Sequence, residues 1–385
     1  MPRYRIFIDS NIQDGNPELF NSYCTGLVHQ LVILPAEQLQ DIIDQKNLSF
    51  GCLDANDLFI IRSKCNFLEK KLQGKGLPGF IGSCVSGCDH LDIPWLRQQG
   101  VKVYSAIGCN AQSVVEYVAA VIHILAKNSK LDLQNKSNMR ATVIGCGHVG
   151  SLVVDLLVKL GFKVSVYDPF ISIQAKHIVL DKYRLGMDVM WVDDLETIGD
   201  SDLISVHCSL TTAKQVGVKA SENMLDKVFF KSVKPNSILI NAARGGLLVA
   251  DDFCNYAKHI VSCFDVWPNE PSISADIVSQ TYLSTAHIAG HSVQGKAQGL
   301  SMVYNYLVKH YGFCLKVGEV SSSASISLEL LASRILESSN KLQQDALRCL
   351  KFDKQSENIV GLGKVEVDKC MGSAFTNSRL EFKWY

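Results

Sequence analysis

Short β-rich apolar runs alternate along the chain with stretches whose apolar residues recur every three or four positions. That alternation predicts parallel sheets joined by helical crossovers. Toward the front, YRIFID, HQLVIL, DLFIIRS, GFIGSC and KVYSA read as buried strands, and residues 111–127, AQSVVEYVAAVIHILAK, keep a helical period throughout. A second series follows: ATVIG, KVSVYD, LISVHC, SILINAA, VSCFDVW and LSTAH, with HVGSLVVDLLVKLG, ENMLDKVFF and ADDFCNYAKH as helical patterns between strands. After TAHIAGHS comes the helix pattern GKAQGLSMVYNYLVKHYG, then the serine-rich VSSSASIS, then LELLASRILESSNKLQQDALRCL and a mixed polar end. The expected class is α/β. One domain spans about 1–110 together with 289–310, a second spans 111–288, and a small third follows over 311–385.

A length of 385 residues agrees with two or three domains. Hydrophobic residues make up 47% and charged residues 20%, which favours a well-packed chain over a disordered one. Lys+Arg 38 balances Asp+Glu 38 with no basic run, so neither nucleic acid nor an anionic membrane is an expected partner. The beginning, MPRYRIFIDS, lacks the unbroken apolar core of a signal peptide. The most apolar helical pattern is interrupted by Glu116 and His123 and is too short to span a bilayer. The cytoplasm is the expected compartment. The 13 cysteines are odd in number and scattered, and Cys84 and Cys88 have no second pair to complete a zinc set. They read as reduced, mostly buried small hydrophobes, and no metal is expected.

The segment RATVIGCGHVGSLVVDLLVKLGFKVSVYD adds the first chemistry. Gly145, Gly147 and Gly150 form G-x-G-x-x-G directly after a strand pattern and at the opening of a helix, with a second strand ending at Asp168. Gly145 permits a tight turn, Gly147 lets a pyrophosphate approach the backbone, and Gly150 lets the helix sit close against the sheet. His148 and Val149 open that helix, whose free N–H groups and positive dipole end suit phosphates. Asp168, 18 residues past the last glycine, can accept hydrogen bonds from a ribose diol and would repel a 2′-phosphate. The expected cofactor is NAD in preference to NADP.

Three later segments each follow a strand pattern: NAARGG with Arg244, FDVWPNEP with Asp265 and Glu270, and TAHIAGH with His287. Each should project from the carboxyl edge of its sheet, where such folds bind ligands. With GCDHLD at 87–92 and GCNAQSVVEYV at 108–118, these motifs resemble the D-2-hydroxyacid dehydrogenase family. Within that family they are most similar to the erythronate-4-phosphate dehydrogenases of pyridoxal 5′-phosphate (vitamin B6) biosynthesis. The resemblance covers most of 55–310, and RLEFKWY at the end resembles that subfamily's terminus. It implies two Rossmann-like domains, one flavodoxin-like that binds substrate and one that binds NAD, plus a small C-terminal α+β domain that makes a homodimer. The cofactor would lie between the two larger domains, with hinge closure expelling water.

The resemblance implies roles residue by residue. His287 is the acid/base, Glu270 holds its tautomer and favours its charged form, and Arg244 pairs with the substrate carboxylate through its planar fork. Asp265 contacts the nicotinamide side of NAD, and Cys208 and Gly290 complete the cofactor set. Ser63, Val85 and His291 fall at substrate-contact positions, with Arg62 and Lys296 as candidate cations for a phosphate. Three positions depart from the subfamily pattern. Val85 and Cys208 each replace a threonine, and His291 replaces a tyrosine. Losing one hydrogen bond of this kind costs about 1–3 kcal/mol. The alternative of a zinc pair at His287 and His291 fails on Gly290, because the segment leaves a strand as a loop with no carboxylate helix nearby. The expected reaction is oxidation of a D-2-hydroxy acid, above all 4-phospho-D-erythronate, a small phosphorylated hydroxy acid. Two alternatives stay open: a different D-2-hydroxy acid, and a non-catalytic NAD-sensing protein.

Overall fold

The structure is a computed structural model that describes residues 3–12, 28–134, 138–172, 189–216, 220–313, 327–352 and 358–359. The chain divides into two compact units, residues 1–110 with 292–323 and residues 111–291 with 324–385.

In the first unit, five strands pair in parallel: β1 (Tyr4–Asp9), β2 (Val28–Leu34), β3 (Asp57–Ile61), β4 (Phe80–Ser83) and β5 (Lys102–Ser105). Their spatial order is β2-β1-β3-β4-β5, the flavodoxin-like order. The central strands are apolar on both faces, and β3 is buried along its whole length. This is what a parallel sheet covered on both sides requires. Phe7, Phe59 and Phe67 fill one face, while Ile6, Ile8, Phe80 and the helix residues Val303, Tyr304 and Leu307 fill the other. That helix, Val293–Tyr311, is capped by Ser292, whose hydroxyl accepts the Gly295 N–H at 2.9 Å. It stops at Gly312, left-handed at φ 69°.

In the second unit, β6 (Arg140–Ile144), β7 (Lys163–Tyr167), β8 (Met190–Val192), β9 (Leu203–Val206), β10 (Ile238–Asn241), β11 (Val261–Phe264) and β13 (Leu283–Ser284) form one parallel sheet. A two-residue strand, β12 (Ile273–Ser274), lies outside it. The order β13-β11-β10-β9-β6-β7-β8 is that of a dinucleotide fold with one strand added at the edge. The strand order reverses between β6 and β9, and the glycine-rich turn leaves β6 there. The helix Ala111–Lys127 matches its sequence pattern residue for residue and buries Val114, Tyr117, Val118 and Val121.

Two expectations need adjustment. The pattern ENMLDKVFF is helical only over Lys227–Ser232. Asn223 is left-handed at φ 59°, and the Asp226 side chain accepts the Val228 and Phe229 N–H groups as a cap, so the helix starts after it. The chain returns to the first unit at Ser292 rather than 289. The Ile288 and Ala289 amides bind Asp265 of the second unit, and the His291 N–H binds the Ile288 carbonyl, so the turn belongs with the second unit.

The described part of the C-terminal segment is mainly the helix Leu328–Phe352. It lays Leu331, Ala332, Ile335, Leu342 and Ala346 into the two cores of the second unit rather than building a core of its own. Its side chains also close the open edge of β13. Ser339 Oγ accepts the Ser284 N–H at 3.0 Å, and Gln343 Nε2 donates to the Thr281 and Tyr282 carbonyls at 2.8 and 3.2 Å. The VSSSASIS tract and the terminal RLEFKWY lie outside the described residues. Among the described residues no helix is long and apolar enough to cross a membrane.

Candidate active site

The turn after β6 has the geometry its glycines call for. Gly145 stands at φ 86°, and a Cβ there would lie 2.6 Å from the Cys208 backbone. A Cβ on Gly150 would meet the Gly145 carbonyl oxygen at 1.8 Å, so only glycine lets the helix His148–Lys159 sit this close. A Cβ on Gly147 meets nothing within 4 Å, leaving the open approach a pyrophosphate needs at a helix N-terminus. Asp168 closes the turn from the end of β7, accepting the Cys146 N–H at 2.8 Å and the Phe170 N–H at 3.1 Å. The residues present therefore fit a dinucleotide. Cys208 follows β9 with its thiol against Met224 Sδ at 3.8 Å, and burial pushes that thiol up to about 12, so it stays protonated.

Three neighbouring strands, β10, β11 and β13, deliver the ionisable set. His287 Nδ1 meets Glu270 Oε2 at 2.7 Å. The other Glu270 oxygen accepts the Trp267 N–H at 2.7 Å, which fixes the carboxylate. His287 keeps 48% of its side chain exposed, and the partial loss of solvent around the ring works against the imidazolium. The hydrogen bond and charge of Glu270, with the charge of Asp265, outweigh it, and the His287 pKa lies above its ordinary value. Arg244 follows β10, its Nη1 donating to the Ala243 carbonyl at 2.8 Å. Its charge is felt at both the His287 imidazole and the Cys208 thiol. Arg244, Glu270 and His287 thus follow neighbouring strands, with Glu270 on the imidazole and the Arg244 charge opposing its protonation.

Asp265, expected at the nicotinamide side of NAD, is anchored from inside the protein. It is 1% exposed and turned into the loop that carries His287. Its Oδ1 accepts the Thr285 hydroxyl at 2.6 Å and the Ile288 N–H at 2.7 Å, and its Oδ2 accepts the Ala289 N–H at 2.8 Å. His287 itself is left-handed at φ 56°, with its N–H on the Asp265 carbonyl at 2.7 Å. Gly290 is half-buried in the same turn. The His291 ring points back, its Nδ1–H donating to the His287 carbonyl at 3.0 Å. The two histidines thus share a backbone contact. Among the described residues no three His, Cys, Asp or Glu side chains group as metal ligands.

In the first unit, Arg62 and Ser63 follow β3, and Val85 follows the adjacent β4. Ser63 is exposed. The Val85 carbonyl accepts the Ser105 hydroxyl at 3.0 Å, and Ser86 Oγ accepts the Gly108 N–H at 3.0 Å, so this loop has a fixed shape. The Arg62 charge reaches the Cys84 and Cys109 thiols. Lys296 lies in the first turns of Val293–Tyr311. His90, within GCDHLD, is a core residue: burial pushes it down to about 4, and its Nε2 contacts Ser83 Oγ at 3.1 Å.

Sequence reading missed four residues. Gly245 brings the turns after β10 and β11 together, since a Cβ there would stand 1.8 Å from the Trp267 carbonyl oxygen. The doubled glycine in NAARGG was its signal. Trp267 is 2% exposed and donates through Nε1 to the Thr285 carbonyl at 2.8 Å. Thr285 and Tyr117 lie behind Asp265 and carried no motif.

A family model described as "D-isomer specific 2-hydroxyacid dehydrogenase, NAD binding domain" matches residues 114–289. An erythronate-4-phosphate dehydrogenase of Hydrogenovibrio crunogenus is 36% identical over 268 residues, covering 69% of this chain and 66% of its own length. One from Coxiella burnetii is 34% identical over 292 residues, covering 76% and 72%. The chain thus spans about two thirds or more of the length of these relatives. Among solved structures, holo D-mandelate dehydrogenase of Rhodotorula graminis superposes with a TM-score of 0.64 at 16% identity, covering 80% of this chain and 94% of the other. Aquifex aeolicus D-lactate dehydrogenase, complexed with NAD and lactic acid, gives 0.60 at 18% identity, covering 81% and 99%. At those identities the likeness is one of fold.

Proposed function

The chain belongs to the D-isomer specific 2-hydroxyacid dehydrogenase family, whose NAD-binding domain it carries, and from that premise we propose that it oxidises 4-phospho-D-erythronate to the 2-oxo acid. The observation that carries this reading is the 2.7 Å pair of His287 and Glu270, with the Arg244 charge beside it and a dinucleotide turn on the same sheet. Glu270 engages Nδ1, so the neutral imidazole keeps its proton there and offers the Nε2 lone pair. His287 Nε2 takes the hydroxyl proton of the substrate, and Glu270 stabilises the imidazolium that results. Arg244 orients the substrate carboxylate and withdraws charge from the forming carbonyl. Bound NAD supplies the acceptor for the hydride leaving C2.

The fixed loop after β4 and the cations Arg62 and Lys296 suit a phosphorylated end of the substrate. Likeness to the Hydrogenovibrio and Coxiella enzymes supports erythronate 4-phosphate as that substrate, and a place in pyridoxal 5′-phosphate formation is a further part of our proposal. A homodimer is part of the same reading, and sedimentation of the full chain tests it. Steady-state assays with NAD and a panel of D-2-hydroxy acids test the substrate. We expect the highest kcat/KM for 4-phosphoerythronate. A glycerate or lactate turned over better would replace it as substrate, and turnover of none while NADH still binds would leave an NAD-sensing protein.

A further inference from the structure

Behind the reactive loop lies a buried chain of hydroxyls that the proposed proton transfer does not itself use. Thr285 has a single hydroxyl proton, and that proton goes to Asp265 Oδ1 at 2.6 Å. Its second contact, with the Tyr117 hydroxyl at 2.7 Å, must therefore be one in which the phenol donates. The chain runs in one direction, from Tyr117 to Thr285 to Asp265. Tyr117 is 2%, Thr285 0% and Asp265 1% exposed, so no water competes for these bonds. A carboxylate so deep in protein is disfavoured unless donors surround it. Burial pushes Asp265 up to about 6, against the opposing pull of His287, Thr285 and the Ala289 and Ile288 amides. It is thus close to neutralisation, and the loss of one donor carries it further that way.

We propose that Tyr117 and Thr285 are positioning residues for the reaction proposed above: their hydrogen-bond chain keeps Asp265 ionised behind the His287 loop and so governs how readily the imidazole takes a proton. The inference rests on that functional reading for its consequence, but not for its geometry. The groups facing this chain come from each packed element. Tyr117 comes from the helix Ala111–Lys127, Cys263 from β11, and His287 from the loop itself. Glu270 and Arg244 bear on the imidazole from the turns after β11 and β10. The Cys263 thiol is pushed up by burial and stays neutral. The phenol of Tyr117 is likewise held protonated by burial. Asp265, Glu270 and Arg244 are then the charges that set the imidazole, and only Asp265 depends on the hydroxyl chain.

The test is an NMR titration of His287 in the full chain, with histidine ring carbons labelled and the His287 resonance assigned by its loss in His287→Asn. The parent is compared with Thr285→Val, Thr285→Ser and Tyr117→Phe. Thr285→Val removes the donor to Asp265 at almost constant shape, and the His287 pKa should fall by about 0.5–1 unit. Tyr117→Phe should lower it in the same direction by less, and Thr285→Ser should restore the parent value. The lower-pH limb of kcat/KM for oxidation should move to lower pH by the same amount, with the NADH Kd within about twofold. An unchanged His287 pKa in Thr285→Val overturns the proposal, as does an equal loss of kcat in Val and Ser with no titration shift. If Thr285→Val does not fold, Tyr117→Phe decides by the same criterion. A shifted titration in a chain that turns over no hydroxy acid would sink the functional reading and leave the hydrogen-bond chain standing.

Discussion

At the scale of single residues, the proposed chemistry assigns binding and proton transfer to different side chains. His287 sits on a turn after β13, remote in sequence from the glycine-rich turn, and its ring is held by Glu270. His287→Ala should reduce kcat by about 100- to 10,000-fold, the usual share of a general base, while fluorescence titration finds the NADH affinity unchanged within about threefold. Glu270→Gln addresses the raised His287 pKa. In the proposed oxidation the neutral imidazole is the base, so activity should rise with pH through its pKa. Removing the carboxylate removes the largest influence raising that pKa. The kcat/KM limb should therefore shift to lower pH, and a limb that stays in place would show that Glu270 does not set it. Arg244, Glu270 and His287 were singled out as candidates in sequence because each rides a motif that follows a strand pattern. Tyr117 and Thr285 were not. Tyr117 fits the apolar period of its helix, and its partner lies 168 positions away, a contact that only the folded sheet creates.

At the scale of elements, the site depends on how closely neighbouring turns approach. The turn carrying Arg244 can touch the turn carrying Trp267 and Glu270 only through Gly245. Gly245→Ala must displace backbone, and should cost at least about 1–3 kcal/mol by denaturant unfolding, with kcat falling more than substrate KM rises. The edge of β13 makes a second demand. Ser339 satisfies the Ser284 N–H of this two-residue edge strand, and Gln343 satisfies the Thr281 and Tyr282 carbonyls just before it. Ser339→Ala leaves the Ser284 N–H without its acceptor, at a cost of about 1–3 kcal/mol. Hydrogen exchange at that amide should accelerate accordingly, and unchanged protection would remove the helix from this role.

Periodicity found the strands and the long helices because both have strong periods. It missed the helix Ala36–Ile43 and the short strand β8, which hold few residues. It overextended ENMLDKVFF because a capping aspartate lies inside the apolar pattern.

At the scale of the whole molecule, two parallel sheets carry the candidate residues. One bears the glycine-rich turn and the ionisable set, and the other bears Arg62 and Ser63 after β3 and Val85 on the hydrogen-bonded loop after β4. The class was legible from the alternation of strand and helix patterns, since parallel strands buried on both faces must read as continuous apolar runs. The C-terminal segment was harder to read. A lone helical pattern does not say which core it joins, and Leu328–Phe352 joins that of the nucleotide-turn unit. A ligand held only by the folded state raises stability by about 2.7 kcal/mol at a hundred times its Kd. NAD at saturation should therefore raise Tm by a few degrees, and Asp168→Ala should reduce that gain for NAD while narrowing the gap to NADP. Equal gains from both nucleotides in the parent chain would remove Asp168 as the discriminating group.

Trp267 gives this protein its own optical gauge. The indole is sealed from water, and its ring nitrogen is tied to the segment that carries His287. When that segment is seated, the emission from this position should be blue and slow to quench. When it lifts, water reaches the ring and the colour reddens. Following the wavelength through a titration would report the seating of one short stretch of chain without any turnover, in a molecule whose other tryptophans can be replaced one at a time.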